Sequence, residues 1–394
     1  MPIDPVYKKM EVDAILRHLA PDMLVIQKRY ADQVSPARIP TVMADKIPIS
    51  AAKAVRPLRQ AAGRQIASLT FTSGTSGQPK AVPNTHANHI WNIRVCSRAW
   101  AWTSQDSLLI TLPLSHWYGL VMGLSGAIYH GNGLYLRQQS FDAQGIMEDL
   151  ASGKISLFTH APIAYMKMLE QPGNYDLSKV RLMISGSAPL APKLWRDFKD
   201  RFGVEILETY GSSETGRIAA NRAGKIKLGS PGKVLPRVNL KLSAADEILV
   251  KSGGLFPGYW RNPAATRSSK TADGYWRTGD IGELKDGYLF LKGRVQEKIR
   301  KHGYTVSPRD VEWAMLNNPK IKEISVIGIQ SQTKPDEIYY FVSGNITEEE
   351  ITSYCKANLP FSWRPDHVIF VADLPRTKNG KLHVKRLKEM AAAG

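Results

Sequence analysis

Cysteine is nearly missing from this 394-residue chain: Cys96 and Cys355 are the only two. Two thiols cannot build a disulfide framework or a zinc site with cysteine ligands, which excludes the small stapled folds. No run approaches the roughly 18 consecutive apolar residues that a membrane span needs. The opening MPIDPVYKKM has no apolar stretch after a basic start, so no secretory leader is expected. These shortages predict a protein of the reducing cytoplasm. Acidic residues are also under-represented, 35 against 53 Lys plus Arg, which gives a net charge of +18. The excess is dispersed along the chain rather than clustered among aromatics on one element. Dispersal argues against a nucleic-acid-binding surface and suits small polyanionic ligands or an acidic partner.

What the chain does have is a globular composition, 43% hydrophobic and 22% charged residues, at a length that fits one large and one small domain. After a proline-punctuated lead-in over 1–65, short apolar runs (IASLTFT, DSLLITLPL, GLYL, ISLFTH, VRLMIS, VEILETY) alternate with helix-period segments such as PIAYMKMLE and APKLWRDFKDRF. That alternation predicts an α/β fold of parallel strands with crossover helices. Beyond about Gly224 the period becomes two, with Asp-Gly turn signals at Asp273 and Asp286, which predicts a small antiparallel sheet or barrel. An α+β pattern restarts in the last hundred residues. Ser307-Pro308 opens a helix there, and Thr347 with Glu350 forms a capping box. The expected domains are 1–295 and 296–394.

The densest chemistry lies at LTFTSGTSGQPKAVPNTH, residues 69–86. Thr72, Ser73, Gly74, Thr75, Ser76, Gly77 and Lys80 combine glycines that can turn N–H groups inward, hydroxyl donors and one cation. Those are the components of a phosphate cradle. Gly74, Gly77 and Lys80 lack the spacing of a Walker loop, and Ala81 follows the lysine.

Further motifs follow in order: PLSHWYGL at 113–120, ISGSAPL at 184–190, ETYGSSETG at 208–216, YWRTGD at 275–280, GRVQEKIRKHGYTVSPRDVE at 293–312 and PRTKNGKL at 375–382. In this set and order the chain resembles the adenylate-forming superfamily, which includes acyl- and aryl-CoA synthetases and carrier-protein ligases, from about residue 66 to the C-terminus. The resemblance implies a large α/β domain with an antiparallel subdomain and a small mobile C-terminal lid. Relatives carry a longer segment before the Ser/Gly loop, so a reduced first subdomain is expected, leaving a homodimer or a wider entrance open.

Roles follow from the same resemblance. The 72–80 loop, Gly186, Ser187, Ala188, Pro189, Thr209, Tyr210, Gly211, Ser212, Ser213, Asp280 and Arg294 would hold ATP. Tyr210 would stack on the purine, Asp280 would accept the ribose hydroxyls and Arg294 would fork onto ribose or phosphate. Glu214 would ligate Mg²⁺. His116, Trp117, Tyr118, Gly119, Ser185 and Gly186 would line the acyl pocket, with His116 counted among the catalytic groups. Lys381 would bring a cation to the α-phosphate and the attacking carboxylate. Gln296 would occupy the hinge, where the family carries Asp or Lys, and Gly303 and Tyr304 would border the thiol channel.

The implied reaction forms an acyl-adenylate from ATP and an aryl or short to medium acyl acid. The acyl group then passes to the phosphopantetheine thiol of an acidic acyl carrier protein or to CoA. No Asp near SHWYG would pair an α-ammonium, which disfavours amino acids. The reduced N-terminal region tilts the expectation towards a carrier protein. A non-catalytic AMP-binding protein would be expected to lose Lys381 or Glu214, and both are present. His86 and His89 read as a helix-face pair rather than a metal site.

Overall fold

The computed structural model describes all residues except 6, 36–38, 48–61, 73–79, 138–140, 302–303, 330–335, 378–380 and 394. Five of the expected runs become parallel strands, in the spatial order Gly133–Leu136, Ser107–Ile110, Leu157–His160, Leu182–Ser185, Ile206–Ser212. Helices lie on both faces, so these strands are apolar almost throughout. Side chains alternate between two cores. Leu108, Ile110, Leu157, Leu182, Ile184 and Leu207 pack with Val95, Cys96 and Trp100 of the helix His86–Trp100. Leu109, Phe158, Met183 and Ile206 pack on the other side with Ile146, Leu150, Tyr165, Met168 and Phe198, from the helices Ala143–Ala151, Pro162–Leu169 and Pro192–Phe202. Each fully buried apolar side chain contributes about 1.5–3 kcal/mol relative to exposure.

Two expectations need correction. The segment IASLTFT is a strand, Ile66–Thr72, but it does not join the parallel sheet. It pairs antiparallel with Lys80–Thr85 in a separate hairpin. That hairpin packs Leu69, Phe71 and Ala81 on Ile15 and Leu19 of the helix Lys9–Leu19. It is also tied to the helix His86–Trp100 by a 2.8 Å hydrogen bond between Ser68 and His89. Period and composition identify a strand but not its partner.

The antiparallel region is likewise not a separate sheet or barrel. It continues the parallel strands into one 11-stranded mixed sheet through Gly216–Ala220, Lys233–Val234, Tyr288–Arg294, Trp276–Lys285, Glu247–Ser252 and Val238–Leu242. The chain reverses directly after Ile206–Ser212, so its next strand pairs antiparallel on the exposed edge. The Asp286-Gly287 turn is as expected: φ is +54° and +77°, a two-residue hairpin between Trp276–Lys285 and Tyr288–Arg294.

The last hundred residues build their own core. Ile299, Val306, Val311, Met315, Ile324, Tyr340, Val342, Ile351 and Cys355 form one buried cluster. It is framed by the antiparallel pair Ile321–Ile329 and Glu337–Gly344, the parallel neighbour His367–Phe370, and the helices Pro308–Met315 and Glu348–Asn358. Ser307 caps the first helix by accepting from Asp310 N–H, and the Thr347/Glu350 capping box starts the second. The basic terminal segment forms the helix Val384–Ala393, which buries Leu387 and Ala391. No helix among the described residues is long and apolar enough to cross a membrane.

Candidate active site

A single cleft runs between the carboxyl ends of the parallel strands, the antiparallel part of the sheet and the C-terminal unit. Strand ends are where an α/β sheet leaves backbone groups and loops free to meet a ligand. Residues 73–77 of the hydroxyl-rich loop lie outside the described residues. Its two ends do not: Thr72 pairs with Lys80 across the hairpin, and both line the cleft. Lys80 Nζ lies 4.9 Å over the ring of Tyr259, whose hydroxyl donates to Glu214 Oε1 at 3.2 Å. The cation at the end of the loop and the carboxylate of the YGSSE segment are thus joined through one aromatic residue.

The side expected to hold the nucleotide is densely hydrogen-bonded. Tyr210 Oη donates to Asp280 Oδ2 at 2.7 Å, and Arg294 Nε donates to Asp280 Oδ1 at 3.0 Å. Asp280 therefore meets the cleft already oriented, and its remaining lone pairs can still accept two ribose hydroxyls. Burial and the Asp280 charge push the Tyr210 phenol up, and Asp280 raises Arg294. Ser187, Ala188, Pro189, Gly211, Ser212 and Ser213 also line the cleft. So does Thr209, although its hydroxyl is spent on the Ala219 carbonyl at 2.9 Å. Ser187 adopts φ +69°, a left-handed conformation uncommon outside glycine and often found at sites.

Of the residues expected at the acyl group, His116 and Trp117 line the cleft, and Tyr118, Gly119, Ser185 and Gly186 are buried and outside its lining. The segment Tyr118–Ser125 is π-helical, and a Cβ at Gly119 would sit 2.6 Å from the Pro113 carbonyl, so only glycine fits that approach. Tyr118 N–H donates to His116 Nδ1 at 3.2 Å, which leaves the imidazole proton on Nε2. Desolvation, with Lys381, Arg217 and His160 nearby, lowers His116 to about 3, so it is a neutral donor at physiological pH.

Lys381 belongs to the C-terminal unit. Backbone contacts hold it: Thr377 N–H donates to the Lys381 carbonyl at 2.7 Å, Arg376 bridges to Leu382, and the Arg376 side chain pairs with Glu323. Its side chain keeps contact with solvent, yet it is close enough to the cleft for its charge to act on His116. Desolvation and the Arg294 charge lower its ammonium, while Glu214 and Asp280 pull the other way. Gln296 lines the cleft from the short 3₁₀ turn Val295–Glu297. Gly303 lies outside the described residues. Tyr304 is 66% exposed and away from the cleft lining.

Several cleft residues escape motif reading. Tyr259, in FPGYW, belongs to none of the motifs. Arg217 stands one position beyond ETYGSSETG. Glu208 opens that motif but was given no role there. It is buried, accepts from Leu190 N–H at 3.1 Å, and is pushed up to about 7 by desolvation. Only their surroundings in the folded chain distinguish these residues.

A family model described as AMP-binding enzyme matches residues 1–260, and one described as AMP-binding enzyme C-terminal domain matches 310–381. The chain is 29% identical over 374 residues to the mitochondrial malonate–CoA ligase of Homo sapiens, covering 82% of this chain and 65% of that protein. It is 31% identical to the 2-succinylbenzoate–CoA ligase of Listeria monocytogenes, covering 82% and 70%. The chain thus spans about two thirds of the length of these relatives. The crystal structure of ATP-bound MatB from Rhodopseudomonas palustris superposes with a TM-score of 0.89 at 26% identity, covering 99% of this chain and 83% of that one.

Proposed function

Because this chain belongs to the AMP-binding enzyme family, we propose that it activates a carboxylic acid with ATP and passes the acyl group to CoA. The observation that carries the reading is the meeting of Lys381, from the C-terminal unit, with Glu214, Asp280 and Arg294 at one cleft. In the first step an oxygen of the acid attacks the α-phosphorus of ATP, the bond to the bridging oxygen breaks, and pyrophosphate leaves. Asp280, pre-set by Tyr210 and Arg294, anchors the ribose. Lys381 carries positive charge to the attacking carboxylate and the α-phosphate, so the gain is positioning plus electrostatics. His116, neutral, offers its Nε2–H as a hydrogen-bond donor on the acyl side.

The hard oxygens of Glu214, in reach of the cleft, fit Mg²⁺. When bound there, the ion would neutralise phosphate charge. In the second step the thiol sulfur attacks the acyl carbon and AMP leaves with the former carboxylate oxygen. With Lys381 at the cleft and Tyr304 outside it, the arrangement suits the first step. The unit 296–394 would then turn about Gln296 for the second.

Sequence alone tilted the acceptor towards a carrier protein. The names of the relatives favour CoA, whose phosphates also suit a +18 chain. ATP–pyrophosphate exchange across a panel of acids, followed by transfer to CoA or to a phosphopantetheinylated carrier protein, tests both steps. Exchange with at least one acid and a CoA thioester product are expected. Absence of exchange from folded protein overturns the ligase reading, and transfer to the carrier protein alone overturns the choice of CoA.

A further inference from the structure

Arg217 is 2% exposed, yet it lines the same cleft as His116 and Trp117. It enters at the start of the strand Gly216–Ala220, where the register shifts between Arg217 and Ala219, a bulge of the kind that re-aims a side chain. Its backbone N–H is pinned by Asn92 Oδ1 at 2.8 Å. The guanidinium lies over the rings of Tyr118 and Trp117, 4.5 and 5.0 Å from their centroids. Among the described residues, Nε and Nη1 are buried without a hydrogen-bond partner, and no carboxylate pairs with the group.

Two neighbours share that condition: Trp117 Nε1 and Tyr118 Oη are also buried without a hydrogen-bond partner among the described residues. A Cβ at Gly186 would stand 3.3 Å from Arg217 Nη1 and 3.1 Å from the Tyr118 ring. All three side chains can donate hydrogen bonds, and one carries a full charge. A buried cation with no counter-charge among the described residues is costly, and the two aromatic faces offset part of that cost. A water could satisfy the donors but not the charge. Desolvation accordingly lowers the Arg217 guanidinium.

We propose that Arg217, backed by Tyr118 and Trp117, is the receptor for a second anionic group on the acid, so that the substrates are short dicarboxylic or sulfocarboxylic acids. This rests on the acid-activating reading above. Lys381 serves the reacting carboxylate, and Arg217 holds the far acid group. Arg217 is near enough to Lys381 and His116 for its charge to act on both, which keeps the two acid groups close and the substrate short. A monoacid would leave the cation and its donors unanswered, which is the situation in which a polar pocket discriminates strongly.

The test is pyrophosphate exchange with malonate, succinate and sulfoacetate against acetate, butyrate and monomethyl malonate, for the natural protein and Arg217→Leu. The natural protein should favour the dianions by about 100-fold in kcat/KM, as expected for a charge-assisted buried pair. Arg217→Leu should remove most of that preference. Equal loss for all acids on substitution would assign Arg217 to the reacting carboxylate and overturn the proposal. So would a natural enzyme that prefers monoacids, and in that case acid activation itself would stand. If Arg217→Leu does not fold, calorimetric titration of the natural protein with malonate and monomethyl malonate, beside a non-hydrolysable ATP analogue, decides. Equal affinity overturns the proposal.

Discussion

The two ends of the cleft are built on opposite principles. On the nucleotide side, polar groups already answer one another: Asp280 is held by Tyr210 and Arg294, and Glu214 by Tyr259, which also carries Lys80 over its ring. On the side proposed to take the acid, Arg217, Trp117 and Tyr118 present buried donors that nothing among the described residues answers. A satisfied network is rigid before its ligand arrives, so it gives orientation at little reorganisation. Unanswered buried donors stay costly until a ligand answers them, so they give selectivity. On the proposed reading, orientation would serve ATP, which every turnover shares, whereas selectivity would serve the acid.

Substitutions can break this contrast, and the largest effect should come from where the two ends meet. Lys381→Ala should lower pyrophosphate exchange by about 100- to 1000-fold, the usual scale for removing one preorganised charge from a transition state. Equilibrium binding of ATP, followed by calorimetry, should change little, because Asp280 and Lys80 remain. Tyr259→Phe should be milder. It deletes one hydrogen bond to Glu214, about 0.5–1.5 kcal/mol, and should raise the KM for MgATP by a few-fold up to about tenfold with kcat less affected. An unchanged KM would separate Tyr259 from the nucleotide side.

The smallest effect concerns stability alone. Desolvation raises Glu208 from its ordinary 4.5 to about 7, so between those values the folded protein holds a proton that the unfolded chain releases. This group's contribution is therefore intact below about pH 4.5 and is lost as the pH rises through 7. Glu208→Gln keeps an acceptor for Leu190 N–H and has no proton to lose. Its stability relative to the natural protein should rise with pH across that window by at most about 1.4 kcal/mol per pH unit, measured by chemical unfolding at several pH values. A flat difference would mean that Glu208 is ionised in the folded state.

That Asp280, Tyr210 and Glu214 belong to one cleft was legible because they sit in short contiguous motifs. YWRTGD and ETYGSSETG name Asp280, Tyr210 and Glu214 directly, and the strands that carry them announce themselves by apolar runs. The acyl side was less legible. His116 and Trp117 lie in a motif, but Arg217 is an ordinary basic residue among 53 until burial and two aromatic rings surround it. Tyr259 has no local signature at all. Its meaning comes from Glu214 and Lys80, 45 and 179 positions away. The antiparallel region was misread as a separate sheet for a related reason: period two specifies a strand and its faces, whereas the partner of each edge is chosen by chain reversal and packing.

Local chemistry therefore determined the element types, the caps at Ser307 and Thr347, the Asp286-Gly287 turn and the order of the nucleotide motifs. Each depends on dihedral preferences or hydrogen bonds spanning a few residues. Tertiary structure alone decided that Ile66–Thr72 stands apart from the parallel sheet, that Lys381 lines the same cleft as Asp280, and that Arg217 is a cation without a counter-charge among the described residues. Those are properties of burial and of distance between remote segments. Desolvation acts on the folded surroundings of a group, which no short stretch of sequence contains.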